Sequence, residues 1–223
     1  MSADCFNEFE KFVSKVLLPA TKDMGKLADT NRKHVQKLVY TNLVDRFDAM
    51  VDEAIRENCR KEDLVKEALK GMTQPLTEAD MLRLLMEGTS IQDAIDVRLK
   101  DVLSIAVLRQ RHSKKLAMLF KVLKPQEEFW SKPRVYSATG QIFEQMTLHQ
   151  KTIPHSVCGY ADWLYSRRNS IVHGAGTAKL LPNDLKQIEA LFNCKAAKTF
   201  KIKLSLIKNA ATFYENVVHL LTA

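Results

Sequence analysis

Glycine and proline are scarce in this chain, with 7 and 6 in 223 residues. A many-stranded fold needs turn chemistry at every reversal, so the shortage argues against sheet and for an all-α protein. Cysteine is sparse too. The four present, Cys5, Cys59, Cys158 and Cys194, are far apart and form no Cys-x-x-Cys pair. They read as reduced, partly buried thiols of a cytosolic protein, not as a disulfide framework. His155 and Cys158 fall on one helical face, but two ligands do not make a zinc site, so neither metal nor cofactor is expected. No apolar run approaches the length of a membrane span. The first residues are charged and lack a signal-peptide h-region. The expectation is a soluble, cytoplasmic protein that does not engage membrane.

What is present fits a folded domain. Hydrophobic residues make up 46% and charged residues 27%, an ordinary balance for a chain long enough to bury a core. No linker divides the chain, so residues 1–223 are expected to form one α-helical domain. The net charge of +8 is unevenly spread. Residues 1–100 hold 16 Lys+Arg against 18 Asp+Glu, a net of −2, while residues 101–223 hold 18 against 8, a net of +10. A basic half favours a polyanionic partner such as nucleic acid, although a solvated basic surface has the same composition.

Helical periodicity can be followed through most of the chain. Phe6, Phe9, Phe12, Val13, Val16 and Leu17 mark a first helix that should stop or kink near Leu18, ahead of Pro19. Residues 31–70 form the cleanest amphipathic stretch, from Val35 to Ile55. Leu64, Val65, Ala68 and Leu69 either extend it or start a short helix ended by Gly71. Gln74 to Thr77 reads as a turn, with Thr77 and Asp80 as a helix cap pair. A short helix through Met81 and Leu85 then stops at Gly88. Ser90 with Asp93 offers the next cap, opening one long periodic segment from Ile91 to Leu123. Its later half carries Arg109, Arg111, His112, Lys114, Lys115, Lys121 and Lys124, a face able to contact phosphates or simply to keep the helix soluble. Phe129 and Trp130 are expected to anchor a connector, and residues 134–150 to hold another helix. Ile153-Pro154 should open the next helix, running to about residue 174. Asn183 or Asp184 should cap one ending near Asn193. Residues 201–206 alternate like a strand but lead into a final helix ending near Leu221, so they read as an extended lead-in or as helix.

The most informative stretch runs from Tyr165 to Gly174: Tyr-Ser-Arg-Arg-Asn-Ser-Ile-Val-His-Gly, with a second glycine at Gly176. Trp163, Leu164, Ile171 and Val172 suit a helix that buries one side and shows arginine and histidine on another. Arg beside His is a plausible phosphate-handling pair, one fixing positive charge and the other moving protons near neutral pH. An arginine followed by histidine at loose spacing is cheap, with about 0.9 matches expected by chance in this composition. Requiring Asn directly after the Arg lowers that to about 0.04. At that point the segment Arg168-Asn169-Ser170-Ile171-Val172-His173-Gly174 resembles the Arg-Asn-x-x-x-His signature of HEPN-domain proteins. The aromatic residues before it (Tyr160, Trp163, Tyr165) and the glycine after it are also similar.

The resemblance rests on residues 153–176. It implies an all-α helical bundle, a two-fold homodimer with the site at the interface, and the helix from Val35 to Glu57 as a packing partner of the motif helix. It also implies a metal-independent endoribonuclease, of the kind that acts as a toxin or in phage defence, with an antitoxin or sensor protein as a possible partner. Arg168, Asn169 and His173 would then be the catalytic set. RNA can be cut without metal, because its 2′-hydroxyl attacks the adjacent phosphorus once a base takes its proton. His173 would transfer protons, Arg168 would fork onto the phosphate, and Asn169 would orient the phosphate or the imidazole. The products would be a 2′,3′-cyclic phosphate and a 5′-hydroxyl. Arg167 has a secondary, RNA-binding role in this reading, as do Arg109, Arg111, Lys114 and Lys115. Along a helix, Arg168 and His173 point about 140° apart, whereas Asn169 and His173 differ by about 40°. One chain therefore aims Arg and His apart unless the last turn unwinds at Gly174, and a second copy would bring two of each into one cleft. Two other readings compete: a catalytically silent module of the same shape that binds RNA or a regulatory partner, and a helical DNA-binding regulator using residues 109–124. His34, His112, His149, His155 and His219 have no phosphate-binding pattern beside them and read as surface or core polar residues.

Overall fold

The apolar positions between Val35 and Ile55 recur every three or four residues, which places them on one helical face. They lie on helix α3 (Asp29–Glu57), which buries Tyr40, Leu43, Val44, Phe47, Met50, Val51, Ala54 and Ile55. The computed structural model describes residues 4–72, 77–88, 90–128, 132–134, 152–174 and 178–223. Around α3 pack α1 (Asp4–Phe12), α7 (His112–Leu123), α8 (Val157–His173) and α10 (Leu204–Thr222). Aromatic rings centre this layer. Phe47 stacks on Tyr214 of α10 at 4.0 Å, and Phe9 of α1 meets Phe47 edge-on at 5.5 Å. Such pairs add about 0.5–1.5 kcal/mol each beyond the area they bury. The described residues are predominantly helical, with no strand beyond two isolated β-bridges, so the all-α expectation holds.

The remaining helices extend this layer. After α3 come α4 (Glu62–Gly71), α5 (Glu78–Met86) and α6 (Ile91–Ala106), with α4 packed on α6 and α7. The separate helix ending at Gly71 is therefore the correct one of the two alternatives. Helix α9 (Pro182–Phe192) lies against α8. The contact between α8 and Phe192 is so close that a Cβ on Gly159 would come within 2.8 Å of the Phe192 ring and of Pro154. The four cysteines are buried thiols, and none forms a disulfide. Among the described residues no helix is long and apolar enough to cross a membrane.

Local signals met mixed outcomes. Thr77 and Asp80 form a full capping box, with Asp80 N–H donating to Thr77 Oγ1 at 3.2 Å and Thr77 N–H to Asp80 Oδ2 at 3.1 Å. Pro19 does not stop its helix. The chain instead passes through a π-helical turn at Val13–Leu17 and continues as α2 (Leu18–Asp23), with Pro19 in the first turn. Leu18 N–H donates to the Val13 carbonyl in the π-turn, so the helix runs unbroken up to Pro19. The widened turn directly before it takes up the local break in the ladder that a missing proline N–H imposes. The segment from Ile91 to Leu123 is not one helix: it breaks after Ala106 and restarts at His112. Ser90 stands at the N-cap of α6 but its hydroxyl makes no capping bond. Helix α8 begins at Val157, not at Ile153-Pro154, because the Ser156 hydroxyl accepts the Gly159 N–H at 3.2 Å and sets the start. Helix α9 starts one residue before the expected cap, with Pro182 at its first position and Leu181 as N-cap. It does end at Asn193, which takes left-handed φ of 46°. The lead-in at 201–203 is extended, and α10 starts at Leu204. The expected Gln74–Leu76 turn, the Phe129–Trp130 anchor, the helix across 135–150 and Gly176 lie outside the described residues.

Candidate functional site

Helix α8 carries the Arg-Asn-x-x-x-His segment in its last two turns. Two bonds fix it to α3. The Tyr40 hydroxyl donates to the Leu164 carbonyl at 2.7 Å in the core, and Arg168 Nε donates to Asp45 Oδ1 at 2.5 Å nearer the surface. A third element grips its other side. Arg111, just before α7, donates through Nε to Asp162 at 2.5 Å, reaches Asp184 of α9 at 3.4 Å and also bonds Gln187. Asp162 is fully buried. Burial pushes its carboxyl above the usual carboxylate range, and the Arg111 guanidinium only partly counters this. The α8 frame is thus set by α3, α7 and α9 together, and α3 packs on the motif helix as the resemblance implied.

Within that frame Arg168 is held from two sides. Its Nε goes to Asp45, and its Nη1 donates to the Asn169 side-chain oxygen at 3.3 Å. The Asn169 bond draws the guanidinium toward the ridge shared by Asn169 and His173. His173 is exposed, as is its neighbour Val172 at 47%. The helix stays regular through His173, and Gly174 N–H still donates to the Ser170 carbonyl at 3.0 Å. The last turn does not unwind, so the angular gap between Arg168 and His173 persists within one chain. Among the described residues no hydrogen bond joins Arg168 or Asn169 to His173. Asn169 lies between them in angle and touches the first.

The other basic residues singled out by sequence are distributed unequally. Arg167 turns inward, with its guanidinium 3.4 Å from the Trp163 ring centroid and 5.3 Å from that of Phe200. Burial pushes this guanidinium down to about 10, and its Nε has no hydrogen-bond partner. Arg111 serves the Asp162–Asp184 pair. Lys115 is buried, with Nζ 2.6 Å from both Asp48 and Asp52. His112 is buried beside it, its Nδ1 2.6 Å from Asp48 and its ring stacked on Tyr165 at 4.8 Å. Burial alone would raise the Asp48 carboxyl, but His112 and Lys115 reverse this and bring it down to about 2. Lys121 pairs with Asp63 at 2.7 Å. Of the basic residues from Arg109 to Lys115, only Arg109 and Lys114 remain exposed. Among the described residues no group of three or more His, Cys, Asp or Glu side chains is placed to hold a metal ion.

Two features were not found from sequence. Asp45, the residue that orients Arg168, sits 123 positions away and carried no local signal. The Asp48–His112–Lys115–Asp52 cluster was equally hidden, since His112 looked like one more member of a basic face. Comparison with protein-family models, with curated proteins and with solved structures finds no match to this chain.

Proposed function

We propose that this protein is a HEPN-like endoribonuclease that cuts RNA without metal, with Arg168 and His173 as its catalytic residues and a two-fold dimer completing the site. The observation that carries the reading is the arrangement at the end of α8. Asp45 and Asn169 hold the Arg168 guanidinium, and His173 stands exposed on the Asn169 ridge. Two of the Arg168 donor bonds are spent on orientation, and the remaining N–H groups are left to meet a phosphate. A fork of this kind stabilises the charge that builds on the equatorial oxygens as the 2′-oxygen attacks phosphorus.

The proton book has two entries. A base must take the 2′-hydroxyl proton, and an acid must protonate the departing 5′-oxygen. One imidazole cannot readily do both across a single in-line displacement. Two copies related by a two-fold axis supply two imidazoles and two guanidinium groups to one cleft. The regular last turn of α8 supports this, because a single chain keeps Arg168 and His173 on diverging directions. Exposed Val172 beside His173 gives such an interface an apolar contact.

The test is cleavage of an end-labelled RNA in EDTA by wild type, His173→Ala and Arg168→Ala, with products read for a 2′,3′-cyclic phosphate. Removing a positioned proton-transfer group should lower the rate by about 10²–10⁴. Excess His173→Ala mixed into wild type should depress cleavage further than simple dilution does if the site is shared, because a mixed dimer keeps one imidazole. Undiminished cleavage by both variants would sink the assignment. Tight RNA binding by wild type without cleavage would support the silent binding module.

A further inference from the structure

The basic surface next to the motif is not the one that the residue 109–124 run suggested. It is formed by two extended segments that meet edge to edge: Leu180 N–H donates to the Lys198 carbonyl, and Phe200 N–H to the Ala178 carbonyl, both at 2.9 Å. Burial alternates along the second segment. Cys194, Ala196, Phe200 and Ile202 face the core, while Lys195, Thr199, Lys201 and Lys203 face out. Lys198 and Lys179 are exposed as well. Between Glu189 and Glu215 the sequence contains no acidic residue. None of these five lysines is in an ion pair among the described residues, in contrast to Lys26, Lys33, Lys66 and Lys70, each paired with an acid three or four positions away.

This strip is latched to α8 on both sides of the Arg168–Asn169 pair. Leu181 N–H donates to Ser170 Oγ at 3.0 Å, and the Phe200 ring lies 5.3 Å from the Arg167 guanidinium, which stacks in turn on Trp163. Arg167 has no carboxylate partner among the described residues, so its charge adds to the positive potential of the strip. Five unneutralised lysines on one surface, fixed to the helix that carries a phosphate-directed arginine, match a repeating anion better than a single one.

We propose that Lys179, Lys195, Lys198, Lys201 and Lys203 hold the RNA backbone and deliver it to Arg168 and His173. This rests on the reading of RNA as the substrate. The lysines act as point charges on phosphates, so they contribute affinity and salt dependence without sequence preference.

The experiment uses the full chain carrying His173→Ala, so that binding is read without cleavage. Anisotropy of a labelled single-stranded oligoribonucleotide is measured across a salt series. In this background Lys195, Lys198, Lys201 and Lys203 are changed to Gln. Each lost phosphate contact should lower the log–log salt slope by about 0.7, so the slope should fall by about 2–3 and affinity by at least about tenfold. A control carries Lys26, Lys33, Lys66 and Lys70 changed to Gln, which removes equal charge and should leave the slope within about 0.7 of the parent. If the fourfold strip variant does not fold, Lys195/Lys198→Gln and Lys201/Lys203→Gln separately should each take about half of the effect. A strip variant that binds RNA with unchanged affinity and slope overturns the proposal. So does a control that loses as much, or a strip needed for binding poly-glutamate but not RNA. The two readings fail separately. Wild type that cuts RNA while the strip variant binds normally removes only the strip; wild type that never cuts, with binding still strip-dependent, removes only the nuclease.

Discussion

The interface of α3, α7 and α8 and the surface around the end of α8 are both rich in basic side chains, yet they use them in opposite ways. Inside, Arg111, His112 and Lys115 meet Asp162, Asp184, Asp48 and Asp52 at close range and are hidden from solvent. Outside, His173 and the five strip lysines have no acidic partner among the described residues, and Arg168, though paired with Asp45, keeps 21% of its side chain exposed. The first group spends its charge on holding helices together, at a desolvation cost that only near-complete pairing offsets. The second keeps its charge available. Net charge alone does not separate these groups; the acids that share the space with them do.

That contrast can be broken by experiment. The largest expected effect comes from the interior. Arg111→Met leaves Asp162 buried without its counter-charge and should destabilise the fold by about 3–5 kcal/mol in urea titration. A loss under about 1 kcal/mol would mean that the interior pairs are not structural. Next is acid sensitivity. The Asp48 carboxyl is held at about 2, below its ordinary value, so its contribution is complete above about pH 5 and disappears as pH falls toward 2. It amounts to roughly 2 kcal/mol. The stability gap between wild type and Asp48→Asn should therefore narrow as pH drops from 5 to 2, and a gap independent of pH would contradict the pairing. A smaller effect is expected at the boundary between the two regions. Asp45→Asn frees Arg168 without burying a charge. Cleavage should fall by about tenfold, corresponding to about 1.4 kcal/mol, while the melting temperature hardly moves. Equal loss on Asp45→Asn and Arg168→Ala would instead make Asp45 a member of the chemistry. The smallest effect belongs to the strip: Lys201→Gln should change stability by no more than about 0.5 kcal/mol.

How much of this could be read before the fold was known depends on the range of the interactions. Local signals carried well. The 3–4 spacing of Leu43, Phe47, Met50 and Ala54 located α3, the Thr77–Asp80 pair marked the start of α5, and the glycine after His173 marked the end of α8. Ser90 shows the limit, since the right residue in the right place makes no capping bond. Partnerships across the fold were not legible. Nothing in Arg109-Gln-Arg111-His112-Ser-Lys-Lys115 says that three of its basic side chains turn inward, because the acids that claim them are 51 to 73 residues away. The strip was overlooked for the opposite reason. Its alternating pattern fits strand or helix lead-in equally well, and the pattern alone does not say which residues face out. At the site itself, the residue types and spacing were visible, and the regular helix agrees with the angular argument. What was missing was Asp45, which only the packing of α3 on α8 supplies.

The two bonds between those helices also set the mechanics of the site. The Tyr40–Leu164 and Asp45–Arg168 bonds are five residues apart on α3 and four apart on α8. A slide of one helix along the other by a single residue, about 1.5 Å, would strain both together. The register of α8 on α3 is thus fixed at two points, and a shift breaks both bonds together. The two bonds work like a vernier pinned at two marks. The tolerance is set by bond length, and Arg168 keeps its position without waiting for a substrate to impose it.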